Sequence, residues 1–244
     1  MAAWLSREFG PRAVRVLRPE ALSLSRWSQR IDVHGRASTR IALPRAEPIT
    51  TAEVGAILNR IRYLPASHFH RASAKDQEYA GAELQAVVAS WLAELGERVV
   101  HVVRRHPWVT PYLPLQHWAS AAAACGLPVA ARTLANSPRA YGANGGRGEA
   151  AIACDNCTGG VGMAAAGSVL VAGHEVGGPL SGRYGQCALA AARKLEFPLL
   201  EFRFAIEDGE TVLTEVDPLP ALGEPWAVAL AGRLLMSLAR EPRP

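Results

Sequence analysis

Two β-type runs, 199–206 and 211–216, flank Glu207-Asp208-Gly209-Glu210, and this arrangement constrains the chain more than any other stretch. Asp-Gly between two such runs supplies the positive-φ positions of a tight turn, so the runs pair antiparallel within one sheet. That pairing also fixes where charge collects. Glu201 lies on the first run, Glu215 near the end of the second, and Asp217 just beyond it. Residues two apart on a strand share a face, so Glu215 and Asp217 project together, and the neighbouring strand brings Glu201 beside them. Three carboxylates on one face repel each other unless a cation lies between them. Hard oxygen ligands of this kind suit Mg²⁺, the other reading being a solvated acidic edge strand. Arg203, two residues after Glu201, offers an internal cation that would make a metal unnecessary.

The hairpin sits between helical patterns at 186–195 and 225–239, the second with Trp226, Leu230, Leu234 and Leu238 on one face. Further upstream, Leu84, Val87, Val88, Trp91, Leu92 and Leu95 form the stripe of a core-facing helix over 74–95, ended by Gly96. Trp91 and Trp118 are expected in the core. A buried strand is expected at 99–103 and a second helix at 115–125, stopped by Gly126. Shorter β-type runs stand at 13–17, 40–43, 54–61 and 128–134. Alternation of strand and helix predicts a mostly parallel sheet with helices on its faces.

Composition changes sharply after that unit. Thirteen of the 22 glycines fall in 142–185, which predicts a loop-rich connector with short strands at 150–153 and 168–172. Cys154-Asp-Asn-Cys157 has the spacing of zinc and redox pairs, with His174, Cys187 or Cys125 available to complete a site; ordinary loop cysteines have the same appearance. Gly160-Val-Gly162 with Ala165 echoes a dinucleotide fingerprint but lacks the acidic strand end that should follow. His68, His70 and Arg71 fall on a loop leading into the long helix, and Asn59, Arg60 and Arg62 close the run before it. The first group is either a ligand contact at the sheet end or a solvated loop, and the second either meets an anionic substrate or marks where the strand emerges into water.

Four cysteines do not make a disulfide framework, and 1–10 holds no apolar signal segment, so a reducing cytoplasm is expected. The alanine-rich stretch 119–131 is too short to span a bilayer and is broken by Pro128, so no membrane partner is expected. Residues 1–71 carry twelve arginines against five acids, whereas 196–224 carry eight acids against Arg203 alone. That dipolar layout argues against a uniform nucleic-acid surface.

The helix at 186–195, then LEFPLLEFRF, DGETVLTEVDPLP and a closing helix, resemble the C-terminal segment of ATP-grasp enzymes. VGAILNRI, the helix carrying Asp76, Tyr79 and Glu83, and GLPVAARTL are similar to the pre-ATP-grasp domain of RimK-like members. The matched parts cover roughly 53–135 and 168–239. The resemblance implies an α/β fold in three parts: a pre-ATP-grasp-like unit at 1–134, a glycine-rich connector at 135–184 replacing the central subdomain, and a C-terminal α+β unit at 185–244. It further implies that Glu201, Glu215 and Asp217 are magnesium ligands holding the phosphates of ATP, with Asp217 where the family usually has Asn. The family's phosphate-binding lysines have no counterpart, since Lys75 and Lys194 are the only lysines and neither falls in the connector. Arg132, Arg147 and Arg183 are then the candidate nucleotide contacts, and Arg183 and Arg203 the candidate catalytic groups. A degenerate relative that binds a small molecule, peptide or partner protein is the leading expectation. An active ATP- and Mg²⁺-dependent ligase joining a carboxylate to an amine or thiol through an acyl-phosphate is the alternative, and a zinc or redox protein is the third. A homodimer exchanging the connector would restore a missing lid most simply.

Overall fold

In a computed structural model, residues 2–10, 13–35, 37–100, 113–130 and 164–240 are described. Helices α1 (Ala2–Phe9) and α2 (Pro19–Ser23) precede an antiparallel sheet of β1 (Arg26–Ile31), β2 (Ala37–Ala42) and β3 (Ile49–Thr50). Strand β4 (Ile57–Leu58) follows, and then α3 (Ala74–Leu95), which starts and stops where its stripe and Gly96 predict. The Ser73 hydroxyl caps the first turn by accepting from the Asp76 N–H at 3.2 Å. Val88, Trp91, Leu92 and Leu95 pack on Ile41 and Val99 in one apolar core. Trp27 meets Trp91 edge to face, with centroids 5.7 Å apart.

The second core belongs to the C-terminal half. After β5 (Val99–Val100) and α4 (Leu115–Ala124) come β6 (Ala164–Ala172), β7 (Glu175–Gly177), α5 (Ser181–Leu195), β8 (Leu199–Glu207), β9 (Glu210–Asp217) and α6 (Pro225–Arg240). The four strands form one sheet in the order β7-β6-β8-β9. Alternation assigns its two faces. Val169, Val171, Leu200, Phe202 and Phe204 point towards α4 and α5, where Trp118, Tyr184 and Ala188 complete the core. Leu170, Ala172 and Leu199 point the other way, onto Ala227, Leu230 and Ala231 of α6 and onto Val100. Val100 lies on β5, which pairs parallel with β4, so this third cluster joins the two halves of the chain.

A bulge tunes β9. Arg203 pairs with Glu215 and Phe204 with Leu213, which leaves Thr214 as an extra residue whose hydroxyl donates to the Arg203 carbonyl at 3.1 Å. Leu213 and Val216, three apart, both reach the α4–α5 core because of it.

Several sequence expectations need correction. The sheets are antiparallel, not mostly parallel: β4–β5 is the one parallel strand pair among the described residues, joined only by a bridge of Val129 to Leu213. Short turns link β6 to β7 and β8 to β9, and such turns permit only antiparallel neighbours. The run 13–17 is not a strand among the described residues; Leu17 lies against the α3 core while Val16 is exposed. Of 54–61, only Ile57 and Leu58 pair, because the Asn59 side chain accepts from the Ile61 N–H and turns the chain. Helix α5 begins five residues before the expected 186, and its Gly185 faces Val176 so closely that a Cβ would lie 3.2 Å from that side chain. The region 101–103 and the expected strand at 150–153 lie outside the described residues.

Candidate functional site

The register of β8 and β9 builds the site. Glu201 stands opposite Asp217, and Arg203 opposite Glu215. Glu201 also stands opposite Leu170 of β6, so this charged quartet shares the sheet face that α6 covers further along. The α4–α5 core lies beneath it on the other side.

Arg203 holds all three acids. Its Nη1 donates to Glu215 Oε2 at 2.9 Å, and its Nη2 donates to Glu201 Oε2 at 2.9 Å and to Asp217 Oδ2 at 2.7 Å. Nε adds a bond to Glu201 Oε2 at 3.1 Å. The second oxygen of Asp217 accepts from the Leu219 N–H at 2.7 Å, which fixes the turn leaving β9. The Glu201 and Asp217 side chains are 18% and 17% exposed, against 46% for Glu215. The inner pair is thus the part shielded from water, and Glu215 forms the rim. Burial by itself would lower the Arg203 pKa, but Glu215, Glu201 and Asp217 together raise it, so the guanidinium stays charged.

A second arginine approaches from the other half of the chain. Arg60, just after β4, donates to the carbonyls of Pro220 and Leu219, immediately beyond the Asp217 turn. Burial lowers its pKa, Asp217 opposes that effect, and Arg62 adds to it. The sequence marked Arg60 only as an anion contact or a solvated end, and no local signal ties it to residues 160 positions away.

The three carboxylates expected to bind magnesium are therefore brought together, with a guanidinium at their centre. Magnesium requires oxygen ligands at about 2.1 Å in an octahedral set. One oxygen from each acid is bonded to Arg203, so an ion held by all three would have to displace the guanidinium. Among the described residues no three His, Cys, Asp or Glu side chains stand in a metal-binding arrangement.

The other candidates lie elsewhere. Arg183 sits exposed on α5, on the opposite side of the sheet, with its guanidinium 5.0 Å from the Tyr184 ring centroid. Tyr184 in turn stacks on Phe204 at 4.6 Å. The fold does not bring Arg183 to the carboxylates. Lys75 and Lys194 are both exposed, on α3 and α5. His68 lines a separate cleft beside β1, within the 3-10 turn Ser67–Phe69. Arg132, Arg147, Cys154, Cys157 and the Gly160-Val-Gly162 string lie outside the described residues.

No family model matches the sequence, and no curated protein matches it. Solved structures do match, and they define the class as the ATP-grasp ligase fold. A Chryseobacterium gregarium RiPP-associated ATP-grasp ligase, in complex with ADP and a leader and core peptide, superposes with a TM-score of 0.62. It is 10% identical, over 99% of this chain and 92% of that one. The macrocyclase MdnC of Microcystis aeruginosa MRC, bound with precursor peptide MdnA, gives 0.61 at 13% identity, over 88% and 86% of the two chains. The ATP-grasp ligase PsnB, complexed with minimal precursor, Mg and ADP, gives 0.58 at 13% identity over the same shares. The expected α/β ATP-grasp-like fold is thus the fold of this chain, and at these identities the likeness concerns the fold alone. No helix among the described residues is long and apolar enough to cross a membrane.

Proposed function

We propose that this chain is a peptide-binding relative of the RimK-like ATP-grasp ligases in which Arg203 has taken the place of the metal. The observation that carries the reading is the set of hydrogen bonds from one guanidinium to Glu201, Glu215 and Asp217. An internal cation that satisfies the carboxylates removes their need for Mg²⁺, and with it the usual hold on the phosphates of ATP. The position of the two lysines, exposed and remote from the quartet, favours the same reading. Peptide as the ligand class is suggested by the neighbours of this fold, which are bound to precursor, leader or core peptides.

Calorimetric titration of ATP, with and without Mg²⁺, tests the nucleotide half of this reading. The native protein is expected to show no magnesium-dependent heat at millimolar ATP. Magnesium-dependent binding that disappears in Glu215→Ala would overturn the reading and establish the active ligase in its place. One observation favours that second reading: Arg203 is 36% exposed, so it has a path into solvent if an ion displaces it. PsnB, which has the same fold, is complexed with Mg and ADP.

A further inference from the structure

The sheet β1-β2-β3 ends at β1, whose outer edge carries no partner strand among the described residues. Helix α3 runs beneath this sheet across its strands. Near its C-terminus, Glu94 accepts from the Thr39 hydroxyl on β2 at 2.6 Å. One turn earlier, Ser90 bonds Gln29 on β1, the residue directly opposite Thr39. Four helical residues rise about 6 Å, close to the roughly 4.8 Å between neighbouring strands. One further turn back along α3, at 83–87, the helix therefore lies under the place where a fourth strand beside β1 would run.

That place is a cleft. It has a volume of about 330 Å³; Trp27, Phe69, Tyr79, Leu84 and Val87 give it apolar walls, and His68 and Glu83 also line it, the Glu83 carboxylate favouring apolar over acidic side chains on this side. Tyr79 is 66% exposed, an apolar ring with nothing over it among the described residues. The opposite face of the same sheet is basic. Arg26, Ser28 and Arg30 alternate along β1, and Arg40 of β2 stands opposite Ser28. All three arginines are exposed, and none has an ion-pair partner among the described residues.

We propose that β1 binds an extended acidic peptide by strand addition. Its alternate apolar side chains enter the cleft over Leu84 and Val87, and the intervening acidic ones face Arg26 and Arg30. Backbone bonds to the free edge give affinity, and the two-sided alternation gives specificity. Charge argues against a second copy of this chain as the occupant. Antiparallel pairing of β1 with itself about Ser28 sets Arg26 against Arg30 twice across the seam, and like charges directly opposed destabilise a ladder. The proposal rests on the peptide-binding half of the reading above and is independent of its nucleotide half.

The probe is a fluorescein-labelled nine-residue peptide alternating Glu with Val or Leu, titrated by anisotropy in low salt. Saturable binding is expected, weakened about tenfold or more in Arg26→Glu/Arg30→Glu and reduced by added salt. Methylating the backbone nitrogens along one edge of the peptide is expected to abolish binding, because the strand can no longer pair. Tyr79→Ala, at an exposed position, should weaken binding without affecting the fold. Equal affinity for the native protein and the charge-reversed variant would overturn this site while leaving peptide binding elsewhere intact. Equal affinity of the methylated peptide would overturn strand addition. No saturation at millimolar peptide would overturn the site and leave the carboxylate quartet untouched. A native dimer that tightens in Arg26→Glu, where both opposed arginine pairs become Glu with Arg, would hand the edge to a second copy.

Discussion

One guanidinium organises three acids at this site, and removing it separates what the cluster does for stability from what it does for binding. Arg203→Met keeps most of the apolar stem and leaves Glu201 and Asp217, both mostly shielded, as neighbouring anions with Arg60, near Asp217, as the remaining counter-charge. Breaking a fully buried pair costs about 3–5 kcal/mol, and the partial exposure here reduces that to about 1–2 kcal/mol. Urea denaturation should show that loss in low salt, and a smaller one in 1 M salt, where the remaining repulsion is screened. Arg203→Lys should recover less than half of it. A single ammonium cannot present the forked donors that reach three carboxylates at once. If millimolar Mg²⁺ raises the melting temperature of Arg203→Met but not that of the native protein, the carboxylates retain a latent affinity for the ion. At this scale the sequence was informative. The spacing of Glu201, Glu215 and Asp217 around an Asp-Gly turn was enough to place them on one face, and Arg203 among them could be read by the same rule. Arg183 could not be placed, because the face of α5 it occupies depends on where that helix docks.

Glycine and capping chemistry decide how individual elements end. Gly178 follows β7 with φ +114°, and a Cβ there would lie 2.5 Å from the Ser168 carbonyl oxygen and 3.1 Å from Trp226. Gly209 in the β8–β9 turn has φ +84° with open space around it. Gly178→Ala should therefore cost about 3 kcal/mol or more, combining backbone strain with a clash, whereas Gly209→Ala should cost about 1 kcal/mol from strain alone. Thermal melts of the two variants distinguish these outcomes. Read from sequence, Gly178 belonged to a loop-rich connector, and its fit against β6 was invisible because the contact lies across strands. The pH-dependent element is the short turn Thr51–Glu53. The Thr50 hydroxyl and N–H both donate to Glu53 Oε2 at 2.8 Å, hold its carboxyl below the ordinary range, and are aided weakly by Arg15. A lowered carboxyl pKa gives stability that is present above the unfolded value, about 4.3, and is lost as pH falls through the folded one. The difference between the native protein and Glu53→Gln, followed by denaturation, should therefore shrink as the pH drops below about 4.

Across the whole molecule, the contacts that join the parts are those least legible in the chain. Periodicity found α3, the hairpin and α6, because each carries its pattern within a dozen or two residues. Periodicity missed α1, α2 and β1, and it misjudged the strand directions, since these depend on partners far away in sequence. One such contact is directly testable. Trp4 of α1 packs on Gly232 of α6, where an added Cβ would overlap its ring. In isolation Gly232→Ala should help the helix by about 1 kcal/mol, but here it displaces Trp4. Gly232→Ala is expected to destabilise the native protein and to stabilise a Trp4→Ala background. A double-mutant cycle by chemical denaturation reads the sign directly.

The short strap from Asp217 to Pro220 has a consequence for how the two halves communicate. One end of it is anchored by Arg203 through the Asp217 carboxylate, and the other by Arg60 through the carbonyls of Leu219 and Pro220. Two anchors on one taut segment act as a coupling rod. Cutting one anchor is therefore expected to loosen the other: Arg60→Ala should speed hydrogen exchange at the Leu219 N–H, which Asp217 holds, and an unchanged rate would show that the two anchors act separately.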